Sequence, residues 1–201
     1  MNLQDHRSAF ISGRNNKEHH TGMIITKTEI EGLWIIDPGV FVDDRGYFFE
    51  TFNEHRYQLP DAMPFVQDNE AKSNRGVLRG LHFQKGVHAQ GKLVRVVTGA
   101  VYDVAVDIRP RSETYGMSFG IVLSGENKKQ LWVPRGFAHG YLVLEDNTIF
   151  SYKCDNYYNK AAEGGIRYDD SDLSISWPTV DVPLLISDKD LILGSLVELD
   201  T

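Results

Sequence analysis

The sequence has little of several features that mark particular classes of protein. Cys154 is the only cysteine among 201 residues, which excludes an intrachain disulfide and predicts a reducing compartment, the cytoplasm. No stretch approaches the roughly 20 consecutive apolar residues that a membrane-spanning helix needs. The 21 basic residues are outnumbered by 28 acidic ones, and the net charge of −7 disfavours nucleic acid as a partner. We therefore expect neither a membrane nor a nucleic-acid partner.

The composition is sufficient for one domain with its own core. Hydrophobic residues make up 41% of the chain and charged residues 24%, as in ordinary globular proteins. Residues 1–22 are polar and lack the apolar centre of a signal peptide, whereas an apolar run begins at Met23. We predict a disordered polar extension over residues 1–22 and a single domain over residues 23–201.

Short apolar runs with turn residues between them recur along the chain, and no long amphipathic helix interrupts them. This pattern favours a β-sandwich or β-barrel. Strand-like runs flank three turns, at residues 98–99, 124–127 and 145–147, and each arrangement predicts a β-hairpin. Short helices are expected between Asn53 and Pro60 and again after Ser187. The sequence therefore predicts an all-β fold with a few short helices.

Two histidine-containing stretches resemble the two halves of the cupin motif. In the first, His82-Phe83-Gln84 follows Gly76 after five residues, and the second runs from Pro134 to His139. Metal-binding cupins hold their ion with three histidines and a glutamate, but here Gln84 stands where the second histidine would be. An amide is a poor replacement for imidazole around a transition metal. The resemblance predicts a cupin-type jelly-roll β-barrel, and the substitution predicts that it works without a metal.

The strand predicted from Val77 to Gln84 carries Arg79 and His82, where a strand of the core would carry apolar side chains. Ideal alternation sends these two side chains to opposite faces of the sheet. A pocket that contains both needs a bulge or bend, and Gly80 between them allows one. We therefore predict an irregular strand at Gly80.

Five stretches of the sequence form a recognisable set: residues 44–50 (DRGYFFE), 67–69 (QDN), 78–84 (LRGLHFQ), 134–140 (PRGFAHG) and 185–190 (LISDKD). Together they resemble the dTDP-4-dehydrorhamnose 3,5-epimerase family of cupin-type sugar-nucleotide epimerases, and the resemblance extends from about Met23 to the C terminus. The resemblance implies epimerisation of dTDP-4-dehydro-6-deoxy-D-glucose at C3 and C5, giving dTDP-4-dehydro-L-rhamnose in dTDP-rhamnose biosynthesis. The implied mechanism removes a proton and returns one from the opposite face, with no cofactor.

The resemblance also implies roles for individual residues. His82 would be the general base, Asp190 would orient it, Tyr152 would be the acid on the opposite face, and Lys92 would face the C4 oxygen. The implied substrate-binding residues are Gln67, Asp68, Asn69, Arg79, His139, Tyr158, Glu163 and Lys189, together with Arg45, Phe48 and Glu50. The last three would reach the nucleotide of a neighbouring subunit, because family dimers exchange N-terminal strands. The expected partners are a dTDP-linked 4-keto-6-deoxy sugar and a second copy of the chain.

The residues themselves leave plainer roles open. Tyr152 could be a wall aromatic, Lys92 a solubilising residue at a strand edge, Arg45 a turn residue, and Asp190 a helix cap. Other functions also stay open: an epimerase that acts only at C3 or only at C5, a sugar-nucleotide 3,4-ketoisomerase, a metal-dependent cupin oxygenase, and a non-catalytic sugar-binding cupin. Gln84 disfavours the oxygenase, and product stereochemistry separates the epimerases.

Overall fold

β-Strands account for most of the regular structure in the computed structural model, which describes residues 22–200. In chain order the strands are β1 (Ile24–Lys27), β2 (Trp34–Asp37), β3 (Val40–Asp43), β4 (Gly46–Phe49), β5 (Gln67–Ser73), β6 (Val77–Gln84), β7 (Lys92–Thr98), β8 (Ala100–Asp107), β9 (Ser118–Ser124), β10 (Gln130–Val133), β11 (Phe137–Val143), β12 (Thr148–Cys154), β13 (Glu163–Gly165) and β14 (Leu185–Ile186). The polar extension predicted over residues 1–22 lies outside the described residues, apart from Gly22.

The helices of the described part are short. They are α1 (Glu54–Tyr57), α2 (Asp188–Leu191) and three 3-10 turns at Gly86–His88, Lys160–Ala162 and Val197–Asp200. Both α-helices begin where the sequence predicts them, because each has a polar N-cap: Asn53 accepts the N–H of His55, and Ser187 accepts the N–H of Asp190. Within residues 22–200, none has the length and apolar character needed to cross a membrane.

Two sheets face each other and enclose the main apolar core. The first is antiparallel with the strand order β1-β2-β10-β7-β12-β5. The second has the order β13-β6-β11-β8-β9, and β14 lies beside β6 in parallel orientation. Val94 and Val96 of β7 pack with Val101 and Ala105 of β8 in one cluster between the sheets. This is a jelly-roll β-barrel of the cupin type, and the predicted all-β fold is confirmed.

Both sheets are also covered on their outer faces. The segment that contains α1 places Tyr57 and Phe65 in one cluster with Trp132 of the first sheet. The C-terminal segment places Leu173 and Leu196 on the second sheet. Each such side chain contributes about 1.5–3 kcal/mol when fully buried. Because apolar side chains cover both outer faces and fill most of the interior, polar groups that point between the sheets need a separate explanation.

The three predicted hairpins are wrong, because each turn connects strands of different sheets. β7 and β8, β9 and β10, and β11 and β12 are consecutive in sequence, yet the members of each pair lie in opposite sheets. At the first of these corners Gly99 has a φ of +77°, and a Cβ there would lie 2.2 Å from Oγ1 of Thr148. The residues of each turn determine that the chain turns there. Which strand pairs with which depends instead on the faces that are buried in the whole fold. The β3–β4 hairpin forms a separate two-stranded sheet.

Candidate active site

His82 and Asp190 form a hydrogen-bonded pair at the inner face of the second sheet. His82 Nε2 lies 2.7 Å from Asp190 Oδ1, and the side chain of His82 is 31% exposed while that of Asp190 is 4% exposed. The other carboxylate oxygen of Asp190 accepts the backbone N–H of Gly80 at 3.1 Å. A carboxylate with both oxygens engaged is fixed in position, and it favours the tautomer in which Nε2 carries the proton. The second ring nitrogen, Nδ1, has no partner among residues 22–200.

The irregularity predicted at Gly80 is confirmed. His139 of β11 lies opposite His82, but Tyr141 lies opposite Arg79, so β6 contains one residue more than its partner over this stretch. This β-bulge reverses the alternation and allows Arg79 and His82 to share a face. Gly80 has a φ of +113°, and a Cβ there would lie 2.6 Å from the Cα of Gly140. Only glycine fits at this crossing of two strands.

Lys92 and Tyr152 lie on the facing sheet and point toward the same interior. Lys92 alternates in phase with the core residues Val94 and Val96 of β7, and Tyr152 packs against the same inner cluster. Tyr152 is paired in register with Val94, and Lys92 with Cys154. Among residues 22–200, no carboxylate lies within salt-bridge distance of the Lys92 ammonium. A partly buried cation that forms no salt bridge with the described residues is available to stabilise negative charge on a bound molecule.

The charges in this interior act on one another. Burial lowers the pKa of His82, Asp190 opposes that shift, and Lys92 lowers the pKa further. Burial also lowers the pKa of Lys92. The pKa of Tyr152 is raised, chiefly by burial, and Arg79 opposes the shift. Lys92 therefore lies near His82, and Tyr152 near Arg79, in the interior between the two sheets, which is the candidate cavity.

His139 takes part in a second histidine–carboxylate pair, which the sequence analysis missed. His139 Nε2 lies 3.0 Å from each carboxylate oxygen of Asp103, and both side chains are buried. Asp103 alternates with Tyr102 and Val104, which pack on the outer face, so it shares the inner face of β8 with Val101 and Ala105. The signal in the sequence was an acidic residue within an otherwise apolar strand, and only the fold decides which face of that strand is the inner one.

The residues predicted on β5 divide between its two faces. Gln67 and Asn69 face the interior, where the side-chain amide of Gln67 donates to Asn69 Oδ1 at 3.1 Å. Asn69 Nδ2 in turn lies 3.7 Å from the sulfur of Cys154. Asp68 points the other way and forms an exposed salt bridge with Lys153 at 2.9 Å. The structure therefore brings Gln67 and Asn69 to the cavity and leaves Asp68 outside it, because successive strand residues alternate.

Tyr158, Glu163 and Lys189 form a cluster at the mouth of the cavity. Tyr158 donates from its hydroxyl to Glu163 Oε2 at 3.0 Å, and Lys189 forms a salt bridge with Oε1 of the same carboxylate. Although burial opposes it, these two contacts lower the pKa of Glu163, and the charge of His82 contributes. Lys189 is adjacent to Asp190 in α2 and also lowers the pKa of His82, so the cluster lies beside the His82–Asp190 pair.

Gln84, which replaces a metal ligand of the cupin motif, anchors the loop that leads to this cluster. Its side-chain oxygen accepts the backbone N–H of Asn159 at 2.9 Å, while Gln67 Oε1 accepts the adjacent N–H of Tyr158 at 3.0 Å. Two glutamines thus hold consecutive backbone amides of one loop. Within residues 22–200, no group of three or more His, Cys, Asp or Glu side chains is arranged to hold a metal ion.

Arg45, Phe48 and Glu50 lie on or directly after the β3–β4 hairpin, and no contact found among residues 22–200 joins them to His82. The side chain of Arg45 is 89% exposed and pairs with Asp43, and Phe48 is 71% exposed. Glu50 accepts hydrogen bonds from Asn53 and Arg56. The structure does not bring these three residues to the cavity of their own chain.

Comparisons with known proteins agree with the resemblance. The family model described as dTDP-4-dehydrorhamnose 3,5-epimerase matches residues 27–198. The Escherichia coli K12 protein of that name is 50% identical over 179 residues, which cover 88% of this chain and 96% of that protein.

Two crystal structures extend the comparison to the fold. One is a dTDP-4-dehydrorhamnose 3,5-epimerase from Elizabethkingia anophelis, 50% identical, with a TM-score of 0.83 over 88% of this chain and 97% of that one. The other, from Legionella pneumophila, is a dTDP-6-deoxy-D-glucose-3,5-epimerase in complex with dTDP-4-keto-L-rhamnose. It is 47% identical, with a TM-score of 0.84 over 87% of this chain and 93% of that one. The chain belongs to the dTDP-4-dehydrorhamnose 3,5-epimerase family.

Proposed function

We propose that the protein epimerises dTDP-4-dehydro-6-deoxy-D-glucose at C3 and C5 to give dTDP-4-dehydro-L-rhamnose, in dTDP-rhamnose biosynthesis. The observation that carries this proposal is the arrangement of the interior. A carboxylate-bound imidazole on one sheet faces an ammonium and a phenol on the other sheet. Family membership supplies the substrate, and this arrangement supplies the groups that its chemistry requires.

The chemical difficulty is the acidity of the sugar C–H bonds. A C–H beside a ketone has a pKa on the order of 19–20, against roughly 6.5 for histidine, so unaided transfer costs about 18 kcal/mol. The enzyme must therefore stabilise the enolate where its charge develops, at the C4 oxygen. We assign this role to Lys92, because a fixed cation in a site with little water stabilises an oxyanion strongly. Enolate chemistry of this kind moves protons only, so we propose a reaction that needs no cofactor.

His82 is the proposed base and Tyr152 the proposed acid. The lowered pKa keeps His82 neutral near pH 7, and Nδ1 is its free nitrogen because Nε2 donates to Asp190. Tyr152 lies on the opposite sheet, so a sugar held between the two sheets presents one face to each residue. Its raised pKa keeps the phenol protonated until it is needed. Inversion requires this placement, since the proton must return from the opposite face.

The remaining interior and mouth residues are proposed substrate contacts. Arg79 and His139 would bind the diphosphate or the sugar, beside Gln67 and Asn69 of β5. At the mouth, Tyr158 would stack on the nucleotide base, and Glu163 and Lys189 would lie around the nucleotide. The half-exposed ring of Tyr158 supports this assignment.

A second copy of the chain would complete the site. The β3–β4 hairpin exposes four large apolar side chains, those of Phe41, Val42, Tyr47 and Phe48. Exposed apolar clusters of this size mark interaction surfaces. We propose a homodimer in which family-type exchange of N-terminal strands brings Arg45, Phe48 and Glu50 to the nucleotide of the partner subunit. The buried single cysteine, Cys154, supports the proposed cytoplasmic location.

The reaction is tested by proton exchange. In D2O with EDTA present, NMR should show deuterium entering C3 and C5 of the substrate when the enzyme is added. The His82→Asn variant should lower both rates by about 10³-fold or more, because the base is removed. Absence of exchange at both carbons with the unmodified enzyme, or complete dependence on added metal, would contradict the proposal. Exchange and inversion at one carbon alone would favour a C3-only or C5-only epimerase.

Complementation tests the dimer. Co-expressed His82→Asn and Arg45→Ala chains form mixed dimers in which one site has an intact His82 and receives an intact Arg45 from its partner. If Arg45 acts across the interface, random pairing should restore about a quarter of the unmodified activity. Each variant expressed alone is the control. If the co-expressed chains are no more active than either variant expressed alone, Arg45 does not act on the partner's site.

A further inference from the structure

Tyr141 of β11 is a buried tyrosine whose hydroxyl forms no hydrogen bond with any of residues 22–200. The residue is 6% exposed. By contrast, Tyr57 is 1% exposed and its hydroxyl donates to the backbone oxygen of Glu50 at 3.0 Å. Buried polar groups in proteins are nearly always paired, so an unpaired one indicates a partner that is not part of the protein.

The hydroxyl of Tyr141 is not enclosed by its own surroundings. In the described part of the chain, Gln130 Oε1 is the only fully buried side-chain N or O atom that lacks a partner. Tyr141 Oη also lacks a hydrogen-bond partner there but is not fully buried, so part of its surface is accessible. Tyr141 packs with the inner cluster between the sheets, so its side chain faces the interior of the barrel.

Ring contacts place Tyr141 in the floor of the proposed active site. Its ring stacks on Phe150 with centroids 4.1 Å apart and an angle of 20°. Phe150 also contacts Tyr152 at 5.9 Å and His139 at 6.2 Å. Tyr141 and His139 belong to the second sheet, whereas Phe150 and Tyr152 belong to the first. The four rings thus form a continuous floor that joins the proposed acid to a proposed sugar contact.

The surroundings keep the Tyr141 hydroxyl protonated. Burial raises its pKa well above the ordinary value, Arg79 opposes that shift, and Tyr152 and Asp103 add to it. Arg79 lies directly opposite in the register of β6 and β11. A neutral phenol can donate one hydrogen bond and accept another, so it suits an alcohol better than a charged group.

We propose that Tyr141 is a further substrate-contacting residue, and that its hydroxyl binds one of the two hydroxyl groups of the hexose. This inference rests on the proposed function. In that substrate the C4 oxygen faces Lys92, C6 is a methyl group, and the nucleotide lies toward Tyr158 at the mouth. No individual residue is yet assigned to the hydroxyl groups at C2 and C3. Tyr141 would therefore select a hydroxylated sugar over a deoxygenated one.

The Tyr141→Phe variant tests this contact, because it removes one oxygen and keeps the stacked ring. We expect kcat/KM to fall by about 10–100-fold, with an unfolding midpoint close to that of the unmodified protein. Tyr102→Phe is the matched control. Tyr102 lies on the adjacent strand β8 of the same sheet, but its ring packs on the outer face against Trp177. The control should change kcat/KM by less than about twofold.

Substrate analogues identify the hydroxyl. Deuterium exchange at C5 can be followed with both the 2-deoxy and the 3-deoxy sugar nucleotides. For the unmodified enzyme, kcat/KM should be about 10–100-fold lower with the analogue that lacks the contacted hydroxyl than with the full substrate. With that same analogue, kcat/KM of Tyr141→Phe should be little lower than that of the unmodified enzyme. Unchanged kcat/KM in Tyr141→Phe, or independent losses with both analogues, would overturn the contact while leaving the proposed function intact. No exchange by the unmodified enzyme on the full substrate would overturn both.

Discussion

The carboxylate of Asp190 holds the imidazole of His82 at 2.7 Å, although 108 positions separate them in the sequence. Ser187 caps the short helix α2 and fixes the backbone of Asp190. The second carboxylate oxygen accepts the N–H of Gly80, in the bulge that re-aims His82. One side chain therefore joins the C-terminal helix, the bulged strand and the proposed base. The helix-cap role that the sequence left open for Asp190 belongs to Ser187.

Replacing this carboxylate should change both the rate and its pH dependence. Asp190→Asn should lower kcat by about 10²–10⁴-fold, because an amide holds the ring less firmly and does not stabilise its charged form. Asp190 raises the pKa of His82, so its removal lowers that pKa and moves the acid limb of the rate profile to lower pH. Initial rates across the acid limb measure the shift. Asp188→Asn, an exposed position of the same helix, should leave the limb in place; an unshifted limb in Asp190→Asn would count against the pairing.

Lys92→Met should move the acid limb in the opposite direction. Lys92 lowers the pKa of His82, so the variant should need a higher pH before its base is neutral. The loss of enolate stabilisation should reduce kcat by about 10³-fold. Stability to urea should not fall, because a partly buried ammonium that forms no salt bridge with the described residues is replaced by an apolar chain of similar length. Lys72→Met, exposed on β5, is the control, and a Lys92→Met enzyme of nearly full activity would exclude the assigned role.

Gly80→Ala tests the bulge. The φ of +113° and the 2.6 Å approach to the Cα of Gly140 leave no space for a methyl group. We expect a loss of unfolding free energy on the order of 3 kcal/mol, together with lost activity, since Arg79 and His82 would be displaced. Gly46→Ala is the matched control, because Gly46 has a φ of +130° but no atom within 4 Å of an added Cβ. Its cost should be about 1–2 kcal/mol, and equal costs for the two variants would contradict the steric argument.

Asp107 should govern part of the stability to acid. It is fully buried, and although burial opposes ionisation, hydrogen bonds from Arg109, Ser112 and Thr114 lower its pKa to about 2. A folded pKa below the ordinary 3.8 gives a stabilisation that is complete above pH 3.8 and is lost as the pH falls toward 2. The shift corresponds to about 2 kcal/mol.

Urea unfolding at several pH values measures this contribution. Unmodified protein should lose about 2 kcal/mol more than Asp107→Asn between pH 5 and pH 2, because the variant has no carboxylate to protonate. Asp172→Asn, at an exposed position, should follow the unmodified curve. Parallel curves for Asp107→Asn and the unmodified protein would show that the network adds no pH-dependent stability.

Much of the local structure could be predicted from the sequence, because it depends on neighbouring residues. The bounds of β6 match the predicted strand from Val77 to Gln84, and the irregularity at Gly80 follows from two polar residues three positions apart. The turns at the predicted hairpins also exist. Their strand partners were wrong, because a turn residue such as Gly99 determines the chain direction locally and carries no information about which sheet the next strand joins.

The candidate site was predictable only in part. His82, Lys92, Tyr152 and Asp190 were selected by resemblance to a family, since residue pattern alone favoured plainer roles for Lys92 and Asp190. Asp68 shares its motif with Gln67 and Asn69 but lies on the outer face, because alternation along a strand separates neighbours. The sequence analysis missed three features: Asp103 as the partner of His139, Tyr141 as a candidate contact, and Gln84 as the anchor of a loop. Each depends on contacts between distant segments.

The sequence by itself determined that the chain forms short strands with polar residues at a few interior positions, and it identified the family through five motifs. Only the tertiary structure decided which strands face each other, that the buried Asp190 contacts His82, and that the Tyr141 hydroxyl forms no hydrogen bond with the residues that the structure describes. The physical reason is one of range. Turn, cap and alternation preferences act over a few residues, whereas burial and the pKa shifts it causes depend on segments that only folding brings together.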